Sequence, residues 1–290
     1  MIMYKIAILG CENSHADNFL SIIRDEKYTD VEVMGVYSHV PGEGEKLAEK
    51  YGVPVLDRFD ALTGQLDGLI VTARHGDNHY KYAKPYIADG IPMFIDKPIT
   101  VSESDARTFC AELRENGIRM CGGSICVHAD GVLDLKEKIA SGEHGKVLGG
   151  SLRAPINMVN EHGGFFFYSQ HLVQVMCEVF GYYPHSVQTF RNGGKLTFVA
   201  RYDDYDVTGL FVEGNYIYSV TAAMDKKMLG GEFGLGNTSS REFSLFHSLL
   251  EGGEMKHSYE EIFAPVFILN AMNRSMQSGR EEKVGRMGDA

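Results

Sequence analysis

The stretch Tyr4–Phe19, "YKIAILGCENSHADNF", decides the fold. Ile6, Ala7, Ile8 and Leu9 form a continuous apolar run that ends at Gly10, the pattern of a buried parallel strand. An N-terminal strand of this kind ordinarily feeds a G-x-G-x-x-G turn, which opens a helix and cradles a dinucleotide pyrophosphate. Gly10 fills the first glycine position, but Glu12 stands at the second and His15 at the third. The frame of a dinucleotide turn is present, with two of its three glycines replaced.

Outward from this turn, strand-like and helix-like runs alternate. "HADNFLSIIRDEKY" places Phe19, Leu20, Ile22 and Ile23 on one helix side, and "VEVMGVYS" is the next strand. "GEGEKLAEKYG" reads as a helix stopped by Gly52, "DGLIVTA" as a strand and "NHYKYAKPYIADG" as a helix starting near Asn78. "IPMFIDKP", "SESDARTFCAELRENG" and "IRMCGG" complete the series, with Ser102 and Asp105 resembling a capping box. Strands separated by helices imply right-handed βαβ units, so residues 1–122 are expected to form a doubly wound parallel sheet, a Rossmann-like dinucleotide-binding domain. Residues 123–290 read differently. A long strand in "VLGGSLRAPINM" and a buried helix in "FFFYSQHLVQVMCEVFG" precede "HSVQTFR", "KLTFVARY", "DVTGLFVEG" and "YIYSVTAAM". Short turns at Asn192–Gly194 and Gly214–Asn215 predict hairpins, hence an α+β domain on an open, mostly antiparallel sheet. "KLTFVARY" and "YIYSVTAAM" read as apolar on both faces, which predicts at least a homodimer covering one of them. A last helix, "APVFILNAMNRSMQSG", precedes a charged tail expected to fray.

The 290-residue chain is 44% hydrophobic and 23% charged, the balance of a water-soluble globular protein. It has no apolar run of bilayer length and no signal-like start, which points to the cytoplasm. Five cysteines without a C-x-x-C pair argue for reduced thiols. A net charge of −11 argues against nucleic acid or an anionic membrane as partner.

Three motifs in order carry a resemblance: "DKP" at Asp96–Pro98, "SGEHGKV" at Ser141–Val147, and the glycine pair with a helical histidine, "GGFFFYSQH", at Gly163–His171. Through to its "SGREEKV" ending the chain resembles the Gfo/Idh/MocA oxidoreductases, the relatives of glucose–fructose oxidoreductase and inositol dehydrogenase. The resemblance implies an NAD(P)-dependent oxidoreductase acting on a sugar, polyol or related hydroxyl or carbonyl compound. It implies Lys97 as the cation that polarises the reacting oxygen, where charge develops. It also implies His171 as the residue that exchanges the hydroxyl proton, a task an imidazole suits near neutrality. Cofactor contacts are expected from Gly10, Cys11, Glu12, Asn13, Ser14, Ser38, His39, Thr72, His75, His79, Asp96 and Lys97.

Several positions depart from the family's pattern. Glu12 brings a carboxylate where the backbone should approach the pyrophosphate. In "VYSH", Ser38 and His39 replace the acid that grips the adenosine ribose, which leans the cofactor to NADP. In "TARHGDNH", His75 and Gly76 replace a proline and an asparagine, while His79 fits. "GGSICVHAD" lacks an expected asparagine and arginines. Phe167 stands where an aspartate would orient His171 and Gln174 where a second acid is common; Glu161, His162 or Tyr168 are the nearby substitutes. These departures keep two alternatives open. One is a non-redox ligand-binding or structural homologue that has lost the dinucleotide. The other is a divalent-metal site among Glu12, His15, His75, Asp77, His79 and His128 at the sheet edge.

Overall fold

The computed structural model describes residues 2–289. The described chain divides into two compact units, one of residues 2–100, 104–123 and 239–262, the other of residues 101–103, 124–238 and 263–289. The segment 239–262, which the sequence reading assigned to the second domain, packs with the first unit.

In the first unit the strands are β1 (Tyr4–Leu9), β2 (Val31–Tyr37), β3 (Gly68–Val71), β4 (Met93–Asp96) and β5 (Met120–Gly123). They form an all-parallel sheet in the order β2-β1-β3-β4-β5, as expected of a doubly wound domain. The strand order reverses between β1 and β3, and in such sheets ligands bind beyond the carboxyl ends at that point. The connecting helices are α1 (Ser14–Asp25), α2 (Glu43–Tyr51), α3 (Asp77–Ala83) and α4 (Glu103–Glu115). The helix read through residue 90 ends as α3 at Ala83 and continues as a tighter 3₁₀ turn, because Pro85 cannot donate to an α-helical ladder.

Helix α7 (Thr238–Leu250) covers one face of this sheet. Phe243 meets Phe19 at 5.9 Å and Tyr28 at 4.7 Å between ring centroids, and Phe19 meets Phe94 at 5.0 Å. The approach to β3 is close: a Cβ on Gly68 would lie 2.4 Å from Leu250 Cδ2.

The second unit holds α5 (Asp130–Ala140), β6 (Val147–Ile156), α6 (Phe165–Phe180), β7 (Ser186–Asn192), β8 (Lys195–Arg201), β9 (Asp206–Glu213), β10 (Tyr218–Met224) and β11 (Met228–Phe233). Most of α8 (Tyr259–Ser278) and the short β12 (Glu282–Lys283) complete it. The seven-stranded sheet runs β11-β10-β6-β9-β8-β7-β12, parallel only between β6 and β9. Its inner face is held by α6, whose Phe180 ring lies where a Cβ on Gly150 would fall.

Two expectations need correction. Along β8, Leu196, Phe198 and Ala200 point inward and are buried, whereas Lys195, Thr197 and Arg201 point out. The period of two therefore leaves a mixed outer face of Thr197, Val199, Thr208 and Leu210 rather than a second apolar one. The charged tail is also not frayed at its root. Glu282 and Lys283 pair with Val187 and Ser186, and Val284 is buried and donates its N–H to the His185 carbonyl.

Candidate active site

The turn after β1 sits at the point where strand order reverses. Gly10 has φ +88°, and a Cβ there would stand 2.2 Å from the Ala73 nitrogen, so both conformation and space demand glycine. The Gly10 and Cys11 N–H groups both donate to the Tyr37 carbonyl, at 2.8 and 2.9 Å, and Thr72 Oγ1 donates to the Gly10 carbonyl at 3.1 Å. These bonds tie the ends of β1, β2 and β3 together. Cys11 is buried, and burial pushes its thiol up to about 12, which removes it as a nucleophile.

Glu12 does not stand over the turn as an uncompensated charge. Its Oε2 accepts the Ser38 hydroxyl at 3.0 Å, its Oε1 accepts the Arg74 backbone N–H at 3.2 Å, and His39 Nδ1 lies 3.7 Å from Oε1. The Glu12 side chain is only 6% exposed.

The next residues begin α1. Asn13 is its N-cap: Oδ1 accepts from the His15 N–H and the Ser14 hydroxyl, each at 3.4 Å. Its amide donates to Asp96 Oδ2 at 2.9 Å, and His15 Nδ1 lies 2.9 Å from the same oxygen. The Lys97 N–H donates to Asp96 Oδ1 at 2.7 Å. Asp96 is fully buried; burial pushes its carboxyl up, but His15 and Lys97 together outweigh this and hold it below the ordinary range. His15, which spoils the third glycine position, thus stands against the "DKP" aspartate. Lys97 itself is 4% exposed, an environment in which a lysine needs negative neighbours, and Asp96 is one.

Sequence reasoning missed Glu242 on α7. It is 2% exposed, neither carboxyl oxygen has a hydrogen-bond partner, and it lies within electrostatic reach of Asp96 and Lys97. Burial first and Asp96 second push its carboxyl well above the usual range, against the pull of Lys97. Its surroundings favour the protonated form.

Among the described residues, Glu12, His15, His75, Asp77 and His79 do not gather as a ligand set. His79 is buried with Nδ1 2.6 Å from the Pro98 carbonyl and Nε2 2.7 Å from the Ala73 carbonyl, so it bridges two loops. His75 lies 3.7 Å from Asp77, while Glu12 and His15 are committed as described. Among the described residues, the group of three donors close enough for an ion is Asp30, His247 and Glu251. There His247 Nε2 lies 2.8 Å from Asp30 and Nδ1 3.6 Å from Glu251.

In the second unit His171 projects from α6 and is 6% exposed. Ser124 Oγ lies 2.7 Å from His171 Nδ1, Cys126 Sγ lies 3.5 Å from it, and the Tyr168 ring sits edge-on at 5.3 Å. Gln174, one turn on, accepts the Ser124 N–H at 2.7 Å and the Gln170 amide at 3.1 Å. Where the family's pattern has an aspartate, the Ser124 hydroxyl stands at His171 Nδ1 and the Tyr168 ring packs against the imidazole, while Glu161 and His162 lie 3.7 Å from each other. Phe167 belongs to an aromatic group with His162 and Tyr168. Ser124 carried no local signal, since it stands 47 residues from His171 in the chain.

A doubly wound parallel sheet with a glycine turn at its switch point and a buried lysine after β4 defines a Rossmann-like domain. Residues 4–123 match the sequence model of the Gfo/Idh/MocA family, an oxidoreductase family with an NAD-binding Rossmann fold. A protein of Amycolatopsis mediterranei (strain S699) that carries the name of a UDP-kanosamine synthase oxidoreductase subunit is 23% identical over 126 residues. That match spans 43% of this chain and about a third (35%) of the relative's length. The fold of the whole chain is shared with solved structures. GenD2 of gentamicin A biosynthesis, in complex with NAD, has a TM-score of 0.85 at 16% identity, covering 98% of this chain and 97% of its own. Scyllo-inositol dehydrogenase from Lactobacillus casei, with bound NAD(H) and scyllo-inositol, has a TM-score of 0.83 at 14% identity, covering 97% and 99%.

Proposed function

We propose that this protein is an NAD(P)-dependent oxidoreductase acting on a sugar, polyol or related small hydroxyl or carbonyl compound. The observation that carries the reading is Lys97, a buried cation at the carboxyl end of β4, backed by the ionised Asp96 in a sheet of NAD-binding type. The residues suit a dinucleotide: the Gly10 turn and the start of α1 offer the helix-terminus site such cofactors use, and the Glu12 carboxylate is engaged sideways by Ser38 and Arg74. The nicotinamide, when bound, supplies the two-electron chemistry. Lys97 stabilises the negative charge that develops on the reacting oxygen. His171 takes or returns the proton of that oxygen, with Ser124 fixing the ring. Gly10, Cys11, Asn13, Ser14, Thr72, His75 and His79 build or brace the cofactor loops. The phosphorylation state of the cofactor turns on the end of β2, where Ser38 and His39 support NADP and the neighbouring Glu12 opposes it.

A cytoplasmic homo-oligomer is part of the same proposal. Among the described residues no helix is long and apolar enough to cross a membrane. With the outer face of the second sheet mixed, the homo-oligomer rests on the family resemblance; light scattering at the 32.2 kDa monomer mass would remove that part.

The second reading, a non-redox homologue, is favoured by the loss of glycine at positions 12 and 15. The deciding experiment follows absorbance at 340 nm with NADH or NADPH and a panel of inositols, hexoses and uronic acids. Turnover abolished by Lys97→Ala and His171→Ala supports the proposal; no turnover with any pair favours the second reading.

A further inference from the structure

Rossmann domains that take the unphosphorylated cofactor hold the adenosine ribose hydroxyls with an acid at the end of the second strand. Here β2 ends at Tyr37 and is followed by Ser38 and His39, neither of them acidic. The carboxylate at that place comes from another strand. Glu12, in the turn after β1, reaches across to the end of β2 and is fixed by Ser38 Oγ at 3.0 Å and the Arg74 N–H at 3.2 Å. The Ser38 oxygen accepts the Val40 N–H at 3.0 Å, so its proton is committed to Glu12 and is not on offer to a phosphate. His39, which follows Ser38, has its Nδ1 facing Glu12 at 3.7 Å and the Tyr82 hydroxyl at 3.4 Å.

We infer that Glu12 is the specificity residue of the cofactor site: it accepts the vicinal hydroxyls of the adenosine ribose and rejects a 2′-phosphate, so the protein takes NAD(H) over NADP(H). A carboxylate has about four acceptor positions. Ser38 and Arg74 use two, which leaves two for the hydroxyls of a ribose. A 2′-phosphate brought to the same place would meet a largely buried like charge that salt screens poorly. The lean to NADP drawn from Ser38 and His39 is thereby reversed, because the hydroxyl and the imidazole serve Glu12.

The inference rests on the dinucleotide entering at the β1–α1 turn, and the test separates the two. NADH and NADPH, and the fragments 5′-AMP and adenosine 2′,5′-bisphosphate, are titrated by calorimetry into wild type, Glu12→Gln and Ser38→Ala. The inference expects wild type to bind NADH at least tenfold more tightly than NADPH, and the 5′-AMP fragment over the bisphosphate likewise. Glu12→Gln keeps the shape and removes the charge, so the preference should fall by at least tenfold. Ser38→Ala keeps the charge and should retain the preference, and it tests the charge even if Glu12→Gln fails to fold. NADPH binding as tightly as NADH in wild type overturns this inference alone. Binding of neither dinucleotide overturns the dinucleotide reading, and this inference with it.

Discussion

His15 Nδ1 lies 2.9 Å from Asp96 Oδ2, so the residue that breaks the glycine pattern pairs with the aspartate before the candidate catalytic lysine. The pair links the first turn of α1 to the end of β4. Because Asp96 is fully buried and ionised, it is a strong stability determinant.

Asp96→Asn would set an amide against the Asn13 amide and the Lys97 N–H, which both donate to the present carboxylate. The expected cost is about 3 kcal/mol at pH 7, the scale of breaking a buried ion pair. The native carboxyl titrates below its unfolded value of about 3.9. Its contribution is therefore complete above that pH and disappears as pH falls through the lower native value. Urea unfolding of wild type and variant should differ most at pH 6–7 and converge in acid; an equal gap at both ends would refute the assignment.

Glu242 predicts the opposite slope. Its native pKa is raised, so above about pH 4.3 the unfolded chain ionises while the folded one holds its proton. Stability is lost with rising pH through that window. Glu242→Gln cannot ionise and should be more stable than wild type at pH 8, by roughly 1–3 kcal/mol, with no gain near pH 4. Chemical denaturation at the two pH values measures this, and a gain of equal size at both would show that ionisation is not the cause.

Ser124→Ala removes the hydroxyl 2.7 Å from His171 Nδ1. A lost positioning hydrogen bond of about 1–3 kcal/mol corresponds to roughly a ten- to hundredfold fall in kcat. KM should barely move, since the serine orients the ring, and nitrogen NMR of His171 should show a changed ring environment. An unchanged kcat with an unchanged spectrum would remove Ser124 from the mechanism.

Gly10→Ala combines a φ of +88° with a Cβ 2.2 Å from the Ala73 nitrogen. Strain and overpacking together should cost about 2–4 kcal/mol, read as a lowered melting temperature. A melting temperature within a degree of wild type would mean that the turn relaxes freely.

The parallel sheet was legible because its strands announce themselves locally, as Ile6–Leu9 and Leu69–Val71 do by unbroken apolar runs. The position of Lys97, one residue past β4, was legible for the same reason. Side-chain direction was not. Glu12 read as a repulsive charge over the turn because nothing in "GCENSH" shows that its carboxylate meets Ser38, 26 residues on. Helix α7 carries Phe243 and Phe246 at helical spacing, yet its return to the first unit depends on fitting against Phe19 and Tyr28, which no local pattern encodes. Ser124 and Glu242 stayed hidden for that reason: each acquires its meaning from partners distant in sequence.

The most direct test of the central claim is calorimetric titration of the purified full chain with NADH, beside Lys97→Ala and a variant in which both Glu12 and His15 are glycine. The account predicts saturable one-site binding to wild type, at micromolar affinity of the order of −8 kcal/mol, and weaker binding to Lys97→Ala. It also predicts a folded double variant whose preference for NADH over NADPH is lost along with Glu12. Absence of heat on titrating wild type with either dinucleotide, in a protein shown to be folded, would contradict it.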